Sequence, residues 1–240
     1  MRTRPRRVVG LLLSALTVLP VAACATGRDG IVAAGLDPDP TATRALDDRG
    51  AAPPVPEPGP TTRAAPAARY VFPVDGKVGY AKDKHHDYPA ADIIAACGLT
   101  VRAVTDGVVL EVNRVDRYDR KTNKGGDRGG LFVSVLGDDG VRYYGSHYSE
   151  ITKGLTAGDR VRAGAVLGRI GRTGDAGACH LHFGLSPVCA RTADWWVRRG
   201  VIWPARYLDA WRRGESRSPG AAIEKWRKSH GCPAKAPAGA

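Results

Sequence analysis

From Tyr70 to Ser186 the chain is divided into short β-branched runs by glycine-bearing turns, and this punctuation constrains the fold more than any other feature. The runs are Leu99–Val104, Gly107–Val112, Leu131–Leu136, Val141–Tyr144 and Ala165–Ile170, with Asp139-Gly140 between two of them. Runs this short do not make helices, and chain reversal at each turn predicts a mainly β domain, an antiparallel β-sandwich of barrel-sandwich-like form. Helical periodicity is absent until after Trp203. There Pro204 to Arg213 places Tyr207, Leu208 and Trp211 on one face and stops at Gly214, and Ser218-Pro219 offers a cap and first-turn proline for a helix through Lys228. We expect two small C-terminal helices packed on the β domain.

The segments before Tyr70 read differently. Arg2, Arg4, Arg6 and Arg7 precede an apolar run from Val8 to Ala23 broken by Ser14, Thr17 and Pro20, the pattern of an export signal over 1–23. The run ends Val21-Ala22-Ala23-Cys24, similar to a bacterial lipobox, so lipid on Cys24 and anchoring to the outer face of the cell membrane are expected; ordinary secretory cleavage is the alternative. Residues 24–69, with Asp37-Pro38-Asp39-Pro40 and the proline-rich stretch from Pro53 to Pro60, lack apolar periodicity and read as a tether. The remaining boundaries are a β domain over 70–190, a tryptophan-rich basic extension over 191–232 and a tail over 233–240.

Five of the six histidines fall in three clusters inside the β region: His85-His86, His147, and His180-Leu181-His182. On a strand, His180 and His182 point the same way, about 6.5–7 Å apart, close enough to serve one site. Asp92 follows the first cluster. Two neutral imidazoles and a carboxylate suit Zn²⁺, and three protein ligands leave a fourth position for water. Such an ion lowers the pKa of its water towards about 7 and polarises an amide carbonyl, leaving a base and an oxyanion donor to be supplied, and histidine can do either.

The run His86 to Asp92, continuing through Ile93-Ile94-Ala95-Ala96-Cys97-Gly98, resembles the segment that opens the zinc site of lysostaphin-like (LytM-type) metallopeptidases. Tyr144-Gly145-Ser146-His147 and Gly171-Arg172-Thr173-Gly174, leading into Cys179-His180-Leu181-His182-Phe183, match further family motifs in the same order. The resemblance implies one Zn²⁺ on His86, Asp92 and His182, with His147 and His180 at the catalytic water and the developing oxyanion. We expect His180 as general base and His147 as transition-state stabiliser, with the exchange of roles left open. Two departures stand out. The family usually has four residues' distance from histidine to aspartate; here it is six from His86 and seven from His85, so His85 is an alternative ligand. The family also commonly has glutamate where Gly184 follows Phe183. The implied activity is zinc-dependent hydrolysis of peptide bonds in peptidoglycan stem or cross-link peptides. The alternatives are a non-enzymatic regulator of another wall hydrolase and a peptidase acting outside the wall.

The stretch from Gly158 to Gly168 is similar to hairpins of biotinyl and lipoyl carriers but has no lysine at an exposed tip, so it reads as scaffold. Cys97, Cys179, Cys189 and Cys232 form an even set suited to an oxidising compartment. A strand between Cys179 and Cys189 separates that pair, and we expect Cys97 with Cys189 and Cys179 with Cys232. Residues 190–240 carry eleven bases against four acids and all five tryptophans. That surface either meets anionic wall polymer or covers a small tryptophan core with a solvated basic face. Nucleic acid is a poor partner for an exported chain.

Overall fold

The structure, a computed structural model, describes residues 68–238. The expected export signal, Cys24 and all of the tether but Ala68 and Arg69 lie outside the described residues. Nine strands follow in order: β1 (Ala91–Ile94), β2 (Thr100–Arg102), β3 (Gly107–Asn113), β4 (Phe132–Gly137), β5 (Arg142–Ser146), β6 (Tyr148–Ile151), β7 (Arg160–Val161), β8 (Val166–Ile170) and β9 (His180–Ser186). Helices α1 (Trp195–Arg198), α2 (Ala205–Arg212) and α3 (Gly220–His230) close the described chain. Among the described residues no helix is long and apolar enough to cross a membrane.

The strands form a six-stranded sheet, β1-β9-β5-β4-β3-β7, and a three-stranded sheet, β2-β8-β6, with antiparallel pairing throughout. Each β-branched run singled out in the sequence becomes a strand. At Asp139-Gly140 the chain reverses with Gly140 at φ 76° and its N–H donating to the Gly137 carbonyl at 2.9 Å, a conformation that glycine reaches without a Cβ penalty. The strands the sequence did not announce, β1, β6 and β7, have four, four and two residues, too few to establish a period.

The core lies between the sheets. Ile93, Val109, Val133, Leu181 and Leu185 from the large sheet meet Val101, Ile151, Leu167 and Ile170 from the small one. Because strand side chains alternate, burying Leu181, Phe183 and Leu185 sends His180, His182 and Gly184 to the opposite face. The same alternation divides the tyrosine pair of β5: Tyr143 joins the core, and Tyr144 faces outward beside His182.

That outer face is covered by the segment after β9. Arg142, whose side chain is 0% exposed, donates two hydrogen bonds to Asp194 at 2.8 and 2.9 Å and one to the Ala190 carbonyl at 2.6 Å. Asp194 in turn accepts the N–H groups of Cys189 and Ala190. A buried arginine and aspartate paired in this way hold the chain down on the sheet, so the single turn of α1 starts at Trp195 without a periodic apolar pattern to announce it. Helices α2 and α3 occupy the expected stretches, and Ser218 Oγ accepts the Gly220 N–H at 3.0 Å ahead of α3. The tryptophans divide: Trp211 is buried against Tyr70 and Phe183, whereas Trp203 is exposed and Trp226 stacks on His230 at the surface of α3.

The disulfides correct the expected pairing. They join Cys97 to Cys179 and Cys189 to Cys232, with Cα–Cα distances of 5.3 and 5.4 Å. The reason is strand register. β1 runs antiparallel to β9 with Ile94 opposite His180, so Cys97, leaving one strand, meets Cys179, entering the other. Cys189 leaves the far end of β9 and meets the segment after α3.

Candidate metal centre

Strand register assembles the site. Asp92 on β1 lies opposite His182 on β9, and His182 lies opposite Ser146 at the end of β5, immediately before His147. His147 has φ 66°, a left-handed conformation uncommon for a side chain of this size, which turns its ring back over β9. Its N–H donates to the Gly129 carbonyl at 3.0 Å, so the turn is tied to the loop before β4. The ring centroids of His147 and His180 are 4.6 Å apart, and those of His147 and His182 6.2 Å.

Three histidine nitrogens converge on one oxygen. Asp92 Oδ1 is 3.1 Å from His182 Nδ1, 3.4 Å from His85 Nε2 and 3.6 Å from His180 Nε2. The opposite nitrogen of each ring faces a backbone carbonyl: His182 Nε2 meets Arg199 O at 2.9 Å, His85 Nδ1 meets Tyr88 O at 3.1 Å and His180 Nδ1 meets Ala178 O at 2.9 Å. His147 Nδ1 likewise meets Thr173 O at 2.7 Å. A carbonyl only accepts, so these contacts assign the N–H to that side of each neutral ring and leave the other nitrogen as a lone pair.

The electrostatics agree with neutral rings. Burial pushes His182 down and outweighs the nearby Asp92; burial, reinforced by His182 and His180, pushes His147 down to about 3. Burial opposes ionisation of Asp92, but the facing His182 and His85 overcome it and hold the carboxyl well below the usual carboxylate range. An ionised carboxylate ringed by bare imidazole nitrogens is an arrangement of acceptors without a donor. A cation resolves it, and the donor set of imidazole nitrogen and carboxylate oxygen fits zinc.

The two adjacent histidines differ. His85, His86 and Asp92 each place a potential ligand atom within 4.8 Å of the others. The side chain of His85 is 2% exposed and its ring centroid lies 4.9 Å from that of His182, whereas His86 is exposed and packs edge-on against His85. The residues between His86 and Asp92 loop out, carrying Tyr88 to within 5.8 Å of His182.

The centre lies at the floor of a groove of about 460 Å³. Tyr144 and Ser146 continue the floor, and the walls come from the Gly125–Gly129 loop and from Trp195, Arg198 and Arg199. Trp195 lies so close to Gly125 that a Cβ there would stand 2.2 Å from the indole ring, so the two walls touch at a point where only glycine fits. Sequence reading did not find these wall residues, nor the Arg199 carbonyl behind His182. Nothing in the local pattern marks them, although Gly184 was a clue. A Cβ at Gly184 would lie 2.3 Å from Arg199 O, so the glycine found where the family commonly has glutamate is what lets the Arg199 backbone reach His182. His230, the one histidine outside the three clusters, stacks on Trp226.

Residues 86–192 match the family model described as Peptidase family M23. The chain carries a peptidase family M23 domain. It is 37% identical over 93 residues to the glycyl-glycine endopeptidase ALE-1 of Staphylococcus capitis, covering 38% of this chain and 22% of that protein. It is 31% identical over 130 residues to an uncharacterised protein of Mycobacterium tuberculosis, covering 54% of this chain and 26% of that protein. The chain thus spans about a quarter of the length of the curated relatives it matches. Among solved structures, the catalytic domain of the antimicrobial peptidase lysostaphin from Staphylococcus simulans superposes with a TM-score of 0.43 at 23% identity, covering 55% of this chain and 92% of that one. The M23 match opens at His86, one residue after His85, and ends before Asp194, so Trp195, Arg198 and Arg199 lie outside the matched segment.

Proposed function

We propose that the M23 domain is a zinc-dependent endopeptidase that hydrolyses peptide bonds of peptidoglycan stem or cross-link peptides on the outer side of the cell membrane. The observation that carries this reading is the ring of imidazoles, each with one nitrogen held by a backbone carbonyl and the other turned towards Asp92 or the groove. The family and the name of the staphylococcal relative support peptide-bond hydrolysis.

In this reading His85, Asp92 and His182 hold the ion, with His86 the alternative to His85. When bound, zinc would polarise the scissile carbonyl and acidify a water molecule. The chain supplies the remainder. The Arg199 carbonyl orients His182, as hydrogen-bond partners behind metal ligands commonly do. Thr173 and Ala178 orient His147 and His180 so that each presents Nε2 to the groove. One of the pair accepts the proton of the attacking water at Nε2 and, as the imidazolium so formed, delivers it to the leaving amine; the other stands beside the developing oxyanion. The test is digestion of purified muropeptides by the zinc-loaded protein with mass assignment of every product. Hydrolysed amides are expected, and intact muropeptides at enzyme concentrations that bind zinc stoichiometrically would overturn the reading.

Export and lipid attachment at Cys24 belong to the same proposal. Cys24→Ser should move the protein from the membrane fraction to the soluble one, and an unchanged partition would refute lipidation.

A further inference from the structure

We propose that Arg128 and Arg199 form a carboxylate-binding subsite that makes the groove select acidic peptides, those with a free carboxylate within a residue or two of the amide presented to His147 and His180. The inference rests on the peptidase reading and adds to it the chemical class of the substrate.

Three arginines line the groove, and they are not equivalent. Arg198 is already neutralised: it is buried, paired with Glu111 and laid over Phe132 at 4.0 Å. Arg128 and Arg199 form no ion pair among the described residues. Arg128 spends one N–H on Asn123 Oδ1 at 2.9 Å, and its carbonyl is anchored by the Asp175 N–H at 2.8 Å. Arg199 lies 3.8 Å above the Tyr88 ring and 5.3 Å from that of Trp195, with its Nε buried and without a hydrogen-bond partner.

Stacking holds the plane of a guanidinium and leaves its edge donors free, and those donors match a carboxylate in geometry. Two like charges facing one groove carry an electrostatic cost that an anion between them removes. Among the described residues no acid of the groove lies within ion-pair distance of either cation. Asp92 is taken by histidines, Asp175 accepts the Tyr118 hydroxyl at 2.7 Å, and Asp87 is exposed. Arg199 is fixed relative to the reaction centre because its own carbonyl holds His182, so a carboxylate docked on its side chain is held at a set distance from the hydrolytic histidines. A substrate made only of glycine would leave both cations unmatched.

Binding to the full chain without metal is measured by fluorescence anisotropy, using one dye-labelled pentapeptide with free side-chain and terminal carboxylates and its fully amidated counterpart. The free acid is expected to bind at least 10-fold more tightly at low salt, with the advantage shrinking as ionic strength rises. In the Arg128→Gln/Arg199→Gln double variant the ratio should fall towards one, mainly through loss of affinity for the acid; Arg199→Lys should retain part of the preference, and melting curves confirm that each variant is folded. Equal affinities in the wild-type protein, or an undiminished ratio in the folded double variant, would overturn the subsite. Stronger binding of a poly(glycerol phosphate) probe than of the acidic peptide would overturn it in favour of a wall polymer. The two levels of the reading separate in the zinc-loaded protein: equal cleavage of acid and amide forms rejects the subsite and keeps the peptidase, whereas selective binding with neither form cleaved rejects the peptidase and keeps the subsite.

Discussion

Gly184→Ala tests the coupling between the covering segment and the metal centre. A Cβ at this position would stand 2.3 Å from Arg199 O, 2.6 Å from its carbonyl carbon and 3.0 Å from Gly200 N, where ordinary contact starts at 3.4 Å. The atoms it meets are backbone, so the segment must shift outward by about 1 Å. Overpacking of that kind costs about 1–3 kcal/mol, which for a domain of this size lowers Tm by roughly 2–12 °C. The same shift stretches the 2.9 Å contact between Arg199 O and His182 Nε2, loosening the ring that presents Nδ1 to the ion. Loss of such an orienting partner typically lowers metal affinity by about 10–100-fold. Zinc affinity is read by competition with a chromogenic chelator and stability by calorimetry on the same preparation. Gly79→Ala serves as the control, because a Cβ there meets nothing within 4 Å. Wild-type zinc affinity in a Gly184→Ala protein with lowered Tm would show that the Arg199 carbonyl does not orient His182, and an unchanged Tm would refute the packing argument itself.

His147→Ala and His180→Ala should each keep zinc at one equivalent and lose turnover by about 10²-fold or more; loss of zinc in either would place that histidine among the ligands. Asp194→Ala strands the fully buried Arg142 without its carboxylate and should cost about 3–5 kcal/mol in denaturant unfolding, a loss below about 1 kcal/mol being incompatible with the buried pair described above. The Tyr70 hydroxyl, donating to Asp139 at 2.9 Å, is pushed up to about 12 by burial and by the Asp139 charge. A raised folded value means that Tyr70 contributes stability fully below its unfolded value near 10 and loses it as pH rises through about 12, so Tm should fall across that window, and Tyr70→Phe should flatten the fall.

The chain's local chemistry specified a good deal of this protein. Strand positions followed from β-branched runs and glycine turns, because a period of two and a φ that only glycine tolerates are properties of neighbouring residues. The same period placed His180 and His182 on one face of one strand, and the Pro204 and Ser218-Pro219 signals opened the stretches that became α2 and α3. What the sequence did not settle depends on how far a loop reaches. The distance between His85 and Asp92 is set by the path of an insertion that no periodicity governs, so only the folded chain buries the side chain of His85 beside the carboxylate and leaves His86 exposed. Cysteine pairing was misread because it depends on which strand lies beside β9, and β1 was too short to be seen. The groove walls are the furthest from local determination. Trp195, Arg198 and Arg199 reach the site because buried Arg142 captures Asp194 from a segment some fifty residues away, and Gly184 leaves room for the Arg199 backbone. Contacts of that range become favourable only once the sheet has formed and the entropy of closing the intervening chain has been met, and no pattern within a single segment records them.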